Sequence, residues 1–261
     1  MTGISKSKLA LIIEYDGTRF CGSQRQGKGV TVQSELELAL QKLTGAAIRV
    51  NLSSRTDAGV SALGQVASFR NASTVPLEKV VKGLNHYLPE DIAVQAVCRI
   101  PDDLDVRRHA VSREYRYRIW NSPMPSPVME RHAHLVSGAL DEGLMDTAAR
   151  MLIGTHDLVS FASRMAKFEK TTVRSVHEAG VSREGKEILF RIVAGSFLPH
   201  QVRNTVGALI RVGRGKMTLE EFGELLETKI PGTAGPAVPG RGLCLVRINY
   251  LRDLGDYNEN L

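Results

Sequence analysis

Two spacings of apolar residues alternate along the first part of the chain. Runs rich in β-branched and aliphatic residues predict strands, and apolar residues three and four positions apart predict helices. Strands are predicted at residues 9–15, 48–52, 65–69 and 92–100, and helices at residues 31–44 and 76–88. The resulting order, β-α-β-β-α-β, is typical of a ferredoxin-like sheet with helices on one face.

The second part of the chain is predicted to repeat this order. Strands are predicted at residues 114–120, 172–181, 187–193 and 243–250, and helices at residues 140–152 and 201–212, with a further short helix capped by Thr218. We therefore expect an α+β protein whose mostly antiparallel sheets form two ferredoxin-like halves, residues 1–105 and 106–261, that together make one catalytic unit. The segment 231–241, rich in proline and glycine, is predicted to be a loop.

Composition and charge narrow the class of protein. The chain has 261 residues, of which 43% are hydrophobic and 24% charged, values that exclude a disordered or fibrous protein. A net charge of +6 favours a polyanionic partner. Three separate cysteines, Cys21, Cys98 and Cys244, provide neither a CxxC zinc pair nor a disulfide framework, which favours a reducing cytoplasm. No apolar run is long enough for a membrane span.

The densest group of reactive side chains lies in residues 53–60, a polar link between two predicted strands. Function often resides in such loops. The guanidinium of Arg55 can keep the Asp57 carboxylate ionised and oriented, and Gly59 permits a backbone turn. A hairpin with a surface ion pair explains the same residues, so both interpretations stay open.

A second group, residues 107–120, combines five arginines with one glutamate and three aromatic residues. Guanidinium groups bind phosphates and stack on bases, and tyrosines offer an aromatic face, so this strand suits RNA. An edge strand with a solvated basic face is the alternative. His109 has no ligand partner at a useful spacing and is interpreted as structural or facing RNA.

A third group lies on the predicted helix 201–212. Val202, Val206, Leu209 and Ile210 form its core stripe, whereas Arg203, Gly207 and Arg211 share another face. No P-loop, GxGxxG, HExxH or GxSxG motif is present, which argues against chemistry based on ATP, nicotinamide or catalytic zinc. No second carboxylate stands near Asp57 in sequence, so the chemistry would rest on one aspartate.

These groups, in this order, resemble the tRNA pseudouridine synthase A family over nearly the whole chain. The resemblance is carried by Tyr15-Asp16-Gly17-Thr18, Arg55-Thr56-Asp57-Ala58-Gly59-Val60, Arg113-x-Tyr115-x-Tyr117, Gly154-Thr155-His156-Asp157, Val202-Arg203-Asn204 and Ala234-Gly235-Pro236. It implies isomerisation of uridine to pseudouridine at positions 38, 39 and 40 of the tRNA anticodon stem-loop. It also implies a homodimer that needs neither cofactor nor metal.

The resemblance assigns roles to four residues. Asp57 would be the essential catalytic aspartate, and Arg203 its ionic partner. Arg55 would help to seat the flipped nucleotide, and Tyr115 would stack on the target uracil. All four positions are predicted to form the site.

The chain departs from the family pattern at three serines. Ser23 stands where tryptophan is usual, Ser54 where glycine is usual and Ser61 where histidine is usual. Three alternatives to the main hypothesis are therefore kept: a catalytically silent RNA-binding relative, a synthase with another RNA target, and a metal-dependent nucleoside hydrolase.

Overall fold

The computed structural model describes residues 7–71 and 76–256. The described chain divides into two compact units, one formed by residues up to 111 together with those from 245 onward, and the other by residues 112–244. The predicted boundary between residues 105 and 106 separates the halves of the sequence repeat, and it stays a prediction.

The elements of the first unit follow the predicted order. They are β1 (Ser7–Tyr15), α1 (Val32–Thr44), β2 (Asn51–Leu52), β3 (Ser61–Asn71), α2 (Leu77–Tyr87) and β4 (Ile92–Ile100). The second unit continues with β5 (Ala110–Asn121), β6 (His134–Val136), α3 (Glu142–Arg150), β7 (Gly154–Asp157), β8 (Val173–Glu184), β9 (Glu187–Ala194), α4 (Gln201–Gly213) and α5 (Leu219–Glu227). The strand β10 (Leu243–Tyr250) begins in the second unit and continues into the first.

In the first unit β1 lies between β4 and β3 and pairs with both in antiparallel fashion. Both β2 and β10 lie beside β3. Leu9, Leu11 and Ile13 are fully buried at alternate positions of β1, whereas Glu14 is exposed. The helices α1 and α2 pack against each other, and α2 packs against β4. The apolar run that predicts β1 is therefore the centre of this unit's core.

The second unit repeats the same strand pairing. Its β9 lies between β5 and β8 and is antiparallel to both, as β3 is to β1 and β2. The short β7 extends this arrangement beyond β8, and β6 is parallel to β5. The helix α3 packs against β8 and α4. The predicted α+β class with mostly antiparallel sheets and an internal repeat is confirmed.

Capping residues fix the helix ends that the sequence predicts. Thr31 and Ser34 form a capping box at the start of α1, which ends at Gly45 in the left-handed conformation (φ 74°). Thr218 caps α5 by accepting a hydrogen bond from the Glu221 amide at 3.1 Å. Both helix starts follow from side-chain acceptors that satisfy otherwise unpaired amides.

The strand predicted at residues 48–52 is wrong for most of its length, because β2 contains only Asn51 and Leu52. Val50 is buried, but its amide donates to the Glu37 carboxylate at 3.1 Å and its carbonyl accepts from Gln33 at 3.0 Å. Side chains of α1 thus satisfy the backbone groups that a strand would pair. The short strands β6 and β7 are not predicted, because apolar and polar residues do not alternate in their sequences.

Candidate active site

Asp57 lies in the loop that connects β2 to β3, residues 53–60, which we call the Asp57 loop. Thr56 and Val60 are buried, Arg55 and Ala58 are exposed, and Asp57 itself is half-buried. Apolar and hydroxyl groups on one side of the loop therefore anchor it, while Asp57 itself is only half-buried.

Thr56 anchors the loop directly before Asp57. Its hydroxyl shares a buried hydrogen bond of 2.9 Å with the Tyr15 hydroxyl. Its amide donates to the Ser23 hydroxyl at 2.9 Å, and its carbonyl accepts from the Ser23 amide at 3.1 Å. The amide, carbonyl and hydroxyl of Thr56 thus all bind either Tyr15, at the end of β1, or Ser23, in the segment between β1 and α1.

The residues after Asp57 are also held by the segment that follows β1. The Gly59 amide donates to the Phe20 carbonyl at 3.3 Å, and the Val60 amide donates to the Asp57 carbonyl at 3.2 Å. Ser61 accepts from the Gly17 amide at 3.0 Å. Gly59 has a positive φ of 77°, which explains why glycine stands at this turn.

The start of the loop is bound to β3 through a buried amide side chain. Gln65, which is fully buried, accepts from the Ser54 amide at 3.1 Å and donates to the Ser54 carbonyl at 2.8 Å. The Tyr250 hydroxyl donates to Ser53 at 3.0 Å. Of the three departures, Ser23 therefore binds the Asp57 loop through its hydroxyl. Ser61 binds Gly17 through its hydroxyl, and Ser54 binds Gln65 through its backbone.

Arg55 does not pair with Asp57. Its side chain is exposed, and within residues 7–71 and 76–256 no ion pair joins its guanidinium to the Asp57 carboxylate. The described residues therefore contain neither the surface ion pair of the hairpin interpretation nor the predicted orientation of the Asp57 carboxylate by Arg55. Arg55 and Asp57 belong to the first unit, and the two other predicted site residues, Tyr115 and Arg203, belong to the second.

Tyr115 lies on β5 and is 6% exposed. Its ring meets the Phe197 ring edge to face, with centroids 5.1 Å apart. Phe197 lies in the loop between β9 and α4, and Arg113 holds the start of that loop by donating to the Gly195 carbonyl at 2.6 Å. The position of the Tyr115 ring is thus fixed by an aromatic neighbour.

Arg203 lies on the face of α4 that stands apart from the core stripe, as predicted. Its Nε donates to the Val238 carbonyl at 2.7 Å, and the Val238 amide donates to the Arg203 carbonyl at 3.3 Å. One turn later, a side chain at Gly207 would come within 2.8 Å of the Pro236 carbonyl. Arg211 donates to the Ala234 carbonyl at 3.2 Å. The predicted loop at residues 231–241 therefore covers this face.

Tyr117 supports the same loop, a role that sequence reasoning missed. It is fully buried and donates to the Pro239 carbonyl at 2.8 Å. Burial raises the pKa of its phenol, although the charges of Arg203 and Arg241 oppose the rise, so the hydroxyl stays protonated. The Gly242 backbone approaches the Tyr117 ring so closely that a side chain there would lie 2.6 Å from Cζ.

A buried glutamate of the arginine-rich strand β5 pairs with two arginines. Glu114, whose side chain is 2% exposed, pairs with Arg116 at 3.0 Å and with Arg191 of β9 at 2.9 Å. Burial alone would raise the pKa of this carboxyl, but hydrogen bonds from Arg191 and Arg116 outweigh it and keep the pKa below its usual value. Arg107, Arg108 and Arg118 are exposed.

Within the described ranges, no three His, Cys, Asp or Glu side chains gather in a way that can hold a metal ion. No helix in the same ranges has both the length and the apolar content of a membrane span. These two findings describe the side-chain clusters and helices alone.

Comparison with known proteins provides the family. A sequence model of the family described as "tRNA pseudouridine synthase" matches residues 11–107 and 148–251, so Asp57, Arg55 and Arg203 fall inside the matched ranges. The "tRNA pseudouridine synthase A" of Roseiflexus sp. (strain RS-1) is 44% identical over 249 residues, which cover 94% of this chain and 91% of the relative. The protein of the same name from Geotalea daltonii is 36% identical over 242 residues, covering 93% and 99%.

A solved structure described as "Crystal structure of the archaeal box H/ACA sRNP Nop10-Cbf5 complex" aligns over 95% of this chain with 12% identity and a TM-score of 0.35. The chain spans 54% of that protein. The family model, which matches residues 11–107 and 148–251, includes the Asp57 loop but not Tyr115. The chain therefore belongs to the tRNA pseudouridine synthase family and is an isomerase that forms pseudouridine in tRNA.

Proposed function

We propose that this isomerase modifies uridines at positions 38, 39 and 40 of the tRNA anticodon stem-loop, with Asp57 as its single catalytic group and without a cofactor. The construction of the Asp57 loop carries the proposal. Buried groups bind the backbone on both sides of Asp57, while the residue itself is only half-buried. A group that reacts with a substrate needs this combination of fixed backbone and open side chain.

The position within tRNA is supported by resemblance. The ordered motifs of the synthase A family recur along the chain, and the relatives reported above carry that name. A uridine in a stem must leave the base stack before its glycosidic bond can react, so the enzyme must extrude it. A carboxylate at the edge of a rigid loop is suited to meet such an extruded nucleotide.

We propose a route centred on the ribose. The Asp57 carboxylate attacks C1′, and the bond between C1′ and N1 breaks with its electron pair leaving to uracil. Uracil turns, C5 attacks C1′, and the carboxylate leaves. C5 then loses its proton and N1 gains one, so the product is an isomer of the substrate. Removal of the C2′ proton to give a glycal, and attack on the base, are the competing routes; deuterium at C2′ slows only the glycal route.

Three residues are proposed to bind the substrate. Tyr115 stacks on the extruded uracil, Arg55 contacts the nucleotide from an exposed position, and Arg203 places a guanidinium held at Nε by the Val238 carbonyl. The Tyr115 and Phe197 rings pack at nearly right angles, with centroids 5.1 Å apart. The family resemblance supports these three assignments. The contacts given for each residue are contacts within its own unit.

The test is pseudouridine formation in unmodified tRNA, mapped by carbodiimide labelling and reverse transcription. We expect signals at positions 38 to 40 with the wild type. Asp57→Asn keeps the shape and removes the anionic oxygen, so its rate should fall by about a thousandfold or more while its Kd for tRNA stays within about twofold. Substantial turnover by pure Asp57→Asn protein contradicts the proposal.

The same assay separates the alternatives. Modification at other uridines, lost in Asp57→Asn, indicates a different RNA target. Binding of tRNA without modification by the wild type indicates a silent RNA-binding relative, and activity that EDTA abolishes indicates a metal-dependent enzyme. Each of these three results contradicts the proposal and supports one named alternative.

We also propose that the protein is a cytoplasmic homodimer. The family resemblance supports the dimer, and three free cysteines suit a reducing compartment. Light scattering coupled to size exclusion gives the mass directly, against a monomer of 28.6 kDa. A monomer at assay concentration contradicts the dimer.

A further inference from the structure

Ser23 occupies an unusual position for a residue that departs from the family pattern: its side chain is fully buried against the backbone of the Asp57 loop. We infer that Ser23 is a positioning residue that holds the Asp57 carboxylate in its reactive orientation. This inference rests on the proposed role of Asp57. It concerns a hydroxyl that the usual residue at this position, tryptophan, does not have.

Ser23 binds both peptide groups that flank Thr56. Its hydroxyl accepts from the Thr56 amide at 2.9 Å, which fixes the peptide between Arg55 and Thr56. Its amide donates to the Thr56 carbonyl at 3.1 Å, and that carbonyl belongs to the peptide between Thr56 and Asp57. Because peptide groups are planar, two bound planes leave little freedom for the backbone at Thr56 and set the direction in which Asp57 begins.

The other end of Ser23 is bound to a rigid element. Its carbonyl accepts from the Gln33 amide at 2.9 Å, in the first turn of α1. Gln33 is buried and binds both Glu37 and the Val50 carbonyl. The Asp57 loop is thus connected through one residue to the start of a capped helix, and sites built on such elements are held more precisely than sites on free loops.

The neighbouring glycine shows how close this approach is. Gly22 has a φ of 94°, and a side chain there would lie 2.9 Å from the Thr56 carbonyl. Glycine therefore lets the chain pass directly against the loop, and Ser23 follows with a side chain short enough to reach the Thr56 amide. An indole has one N–H donor and no acceptor oxygen, so tryptophan cannot form this bond.

Ser23→Ala tests the inference because it removes only the acceptor of the Thr56 amide. We expect the single-turnover rate of pseudouridine formation to fall roughly 10- to 100-fold, as misplacement of a reacting group does. The Kd for tRNA should remain within about twofold, because Ser23 is buried and contacts no solvent. A merely structural role would lower the amount of folded protein without this split between rate and binding.

Ser122→Ala is the matched control. Ser122 is also buried, and its hydroxyl likewise accepts a backbone amide, that of Met124 at 3.2 Å. Ser122 lies in the second unit, and this hydrogen bond joins it to a residue of the same unit. Its substitution removes the same kind of interaction, so its rate should remain at the wild-type value.

Ser23→Cys keeps the measurement decisive if Ser23→Ala fails to fold. The thiol fills similar space, but sulfur is a weak acceptor, so the rate should fall again in a protein that remains packed. A folded Ser23 variant with the wild-type rate overturns the inference.

Wild type and Asp57→Asn are measured in parallel. An inactive wild type, or an active Asp57→Asn, refutes the proposed function itself. Wild-type rates in the Ser23 variants alongside an inactive Asp57→Asn refute only the role of Ser23.

Discussion

Two glycines beside the Asp57 loop show what a single residue contributes to the site. Gly17 lies two residues after the end of β1, and an Asp-Gly pair at such a place is typical of a turn. Its necessity, however, comes from a distant segment, because a side chain at Gly17 would overlap the Val60 carbonyl and Gly22 faces the Thr56 carbonyl. Local propensity can predict the turn, but it contains no information about which carbonyl lies opposite.

Gly17→Ala should therefore destabilise the protein. The added methyl group meets backbone rather than a flexible side chain, and overpacking of this kind costs about 1–3 kcal/mol in the free energy of unfolding. Urea denaturation measures the change. Gly27→Ala is the control, because no atom lies within 4 Å of a side chain built there, and its effect should stay within about 0.5 kcal/mol. Equal stability of the two variants contradicts the close approach.

At the scale of elements, β5 shows which features of a strand can be predicted from its own sequence and which depend on neighbouring strands. The pattern predicts a strand from Glu114 to Trp120, and β5 contains it. Alternation of arginine and tyrosine indicates two faces, and Tyr115 and Tyr117 are indeed buried on one of them. The sequence does not show that Glu114 is buried between Arg116 and Arg191, because Arg191 comes from another strand whose register is set by the whole sheet.

Glu114→Gln should lower stability at neutral pH and lose this effect in acid. The folded pKa of Glu114 lies below its ordinary value of 4.5, so its ionised form stabilises the fold above that pH. This contribution disappears as the pH falls through the folded pKa. Loss of charged hydrogen bonds costs about 2 kcal/mol at pH 7, and the gap between variant and wild type should shrink as the pH is lowered through 4.5.

Urea denaturation at a series of pH values provides this measurement. Glu187→Gln is the matched control, because Glu187 pairs with Arg118 at 3.4 Å and its side chain is 31% exposed, against 2% for Glu114. Exposed pairs contribute little, so its effect should stay below about 1 kcal/mol at every pH. A Glu114→Gln gap that is constant with pH contradicts the role of the ionised carboxylate.

For the whole molecule, the sequence predicts the class of fold and the order of helices and strands. It does not predict which distant segments contact each other. The element order and the position of the strand at residues 92–100 agree with the structure, because apolar periodicity is a local signal. The cover of the Arg203 face by residues 231–241 does not follow from periodicity, since it joins a helix to a loop through backbone carbonyls. Likewise, the hydroxyl contacts of Ser23 and Ser61 arise from tertiary neighbours.

The net charge of +6 leads to a prediction for tRNA binding. Binding that neutralises phosphates releases counterions, so the Kd for tRNA should rise by about tenfold or more between 50 and 200 mM salt. Fluorescence anisotropy with a labelled transcript measures it. Asp57→Asn should show the same salt dependence, because the step concerns binding and not chemistry. A Kd that does not change with salt contradicts a phosphate-dominated interface.

The place of β10 in the first unit determines when that unit can be completed during synthesis. Gly64 of β3 lies directly against the Val246 carbonyl of β10, with room for no side chain between them. A ribosome releases β3 early, but its neighbour emerges only after every residue of the second unit has been made. The first unit therefore starts first and is completed last. Until then the part of β3 that β10 later covers stays unpaired, although β2 pairs with Ala67 and Ser68, and chaperones or other nascent strands can bind to it.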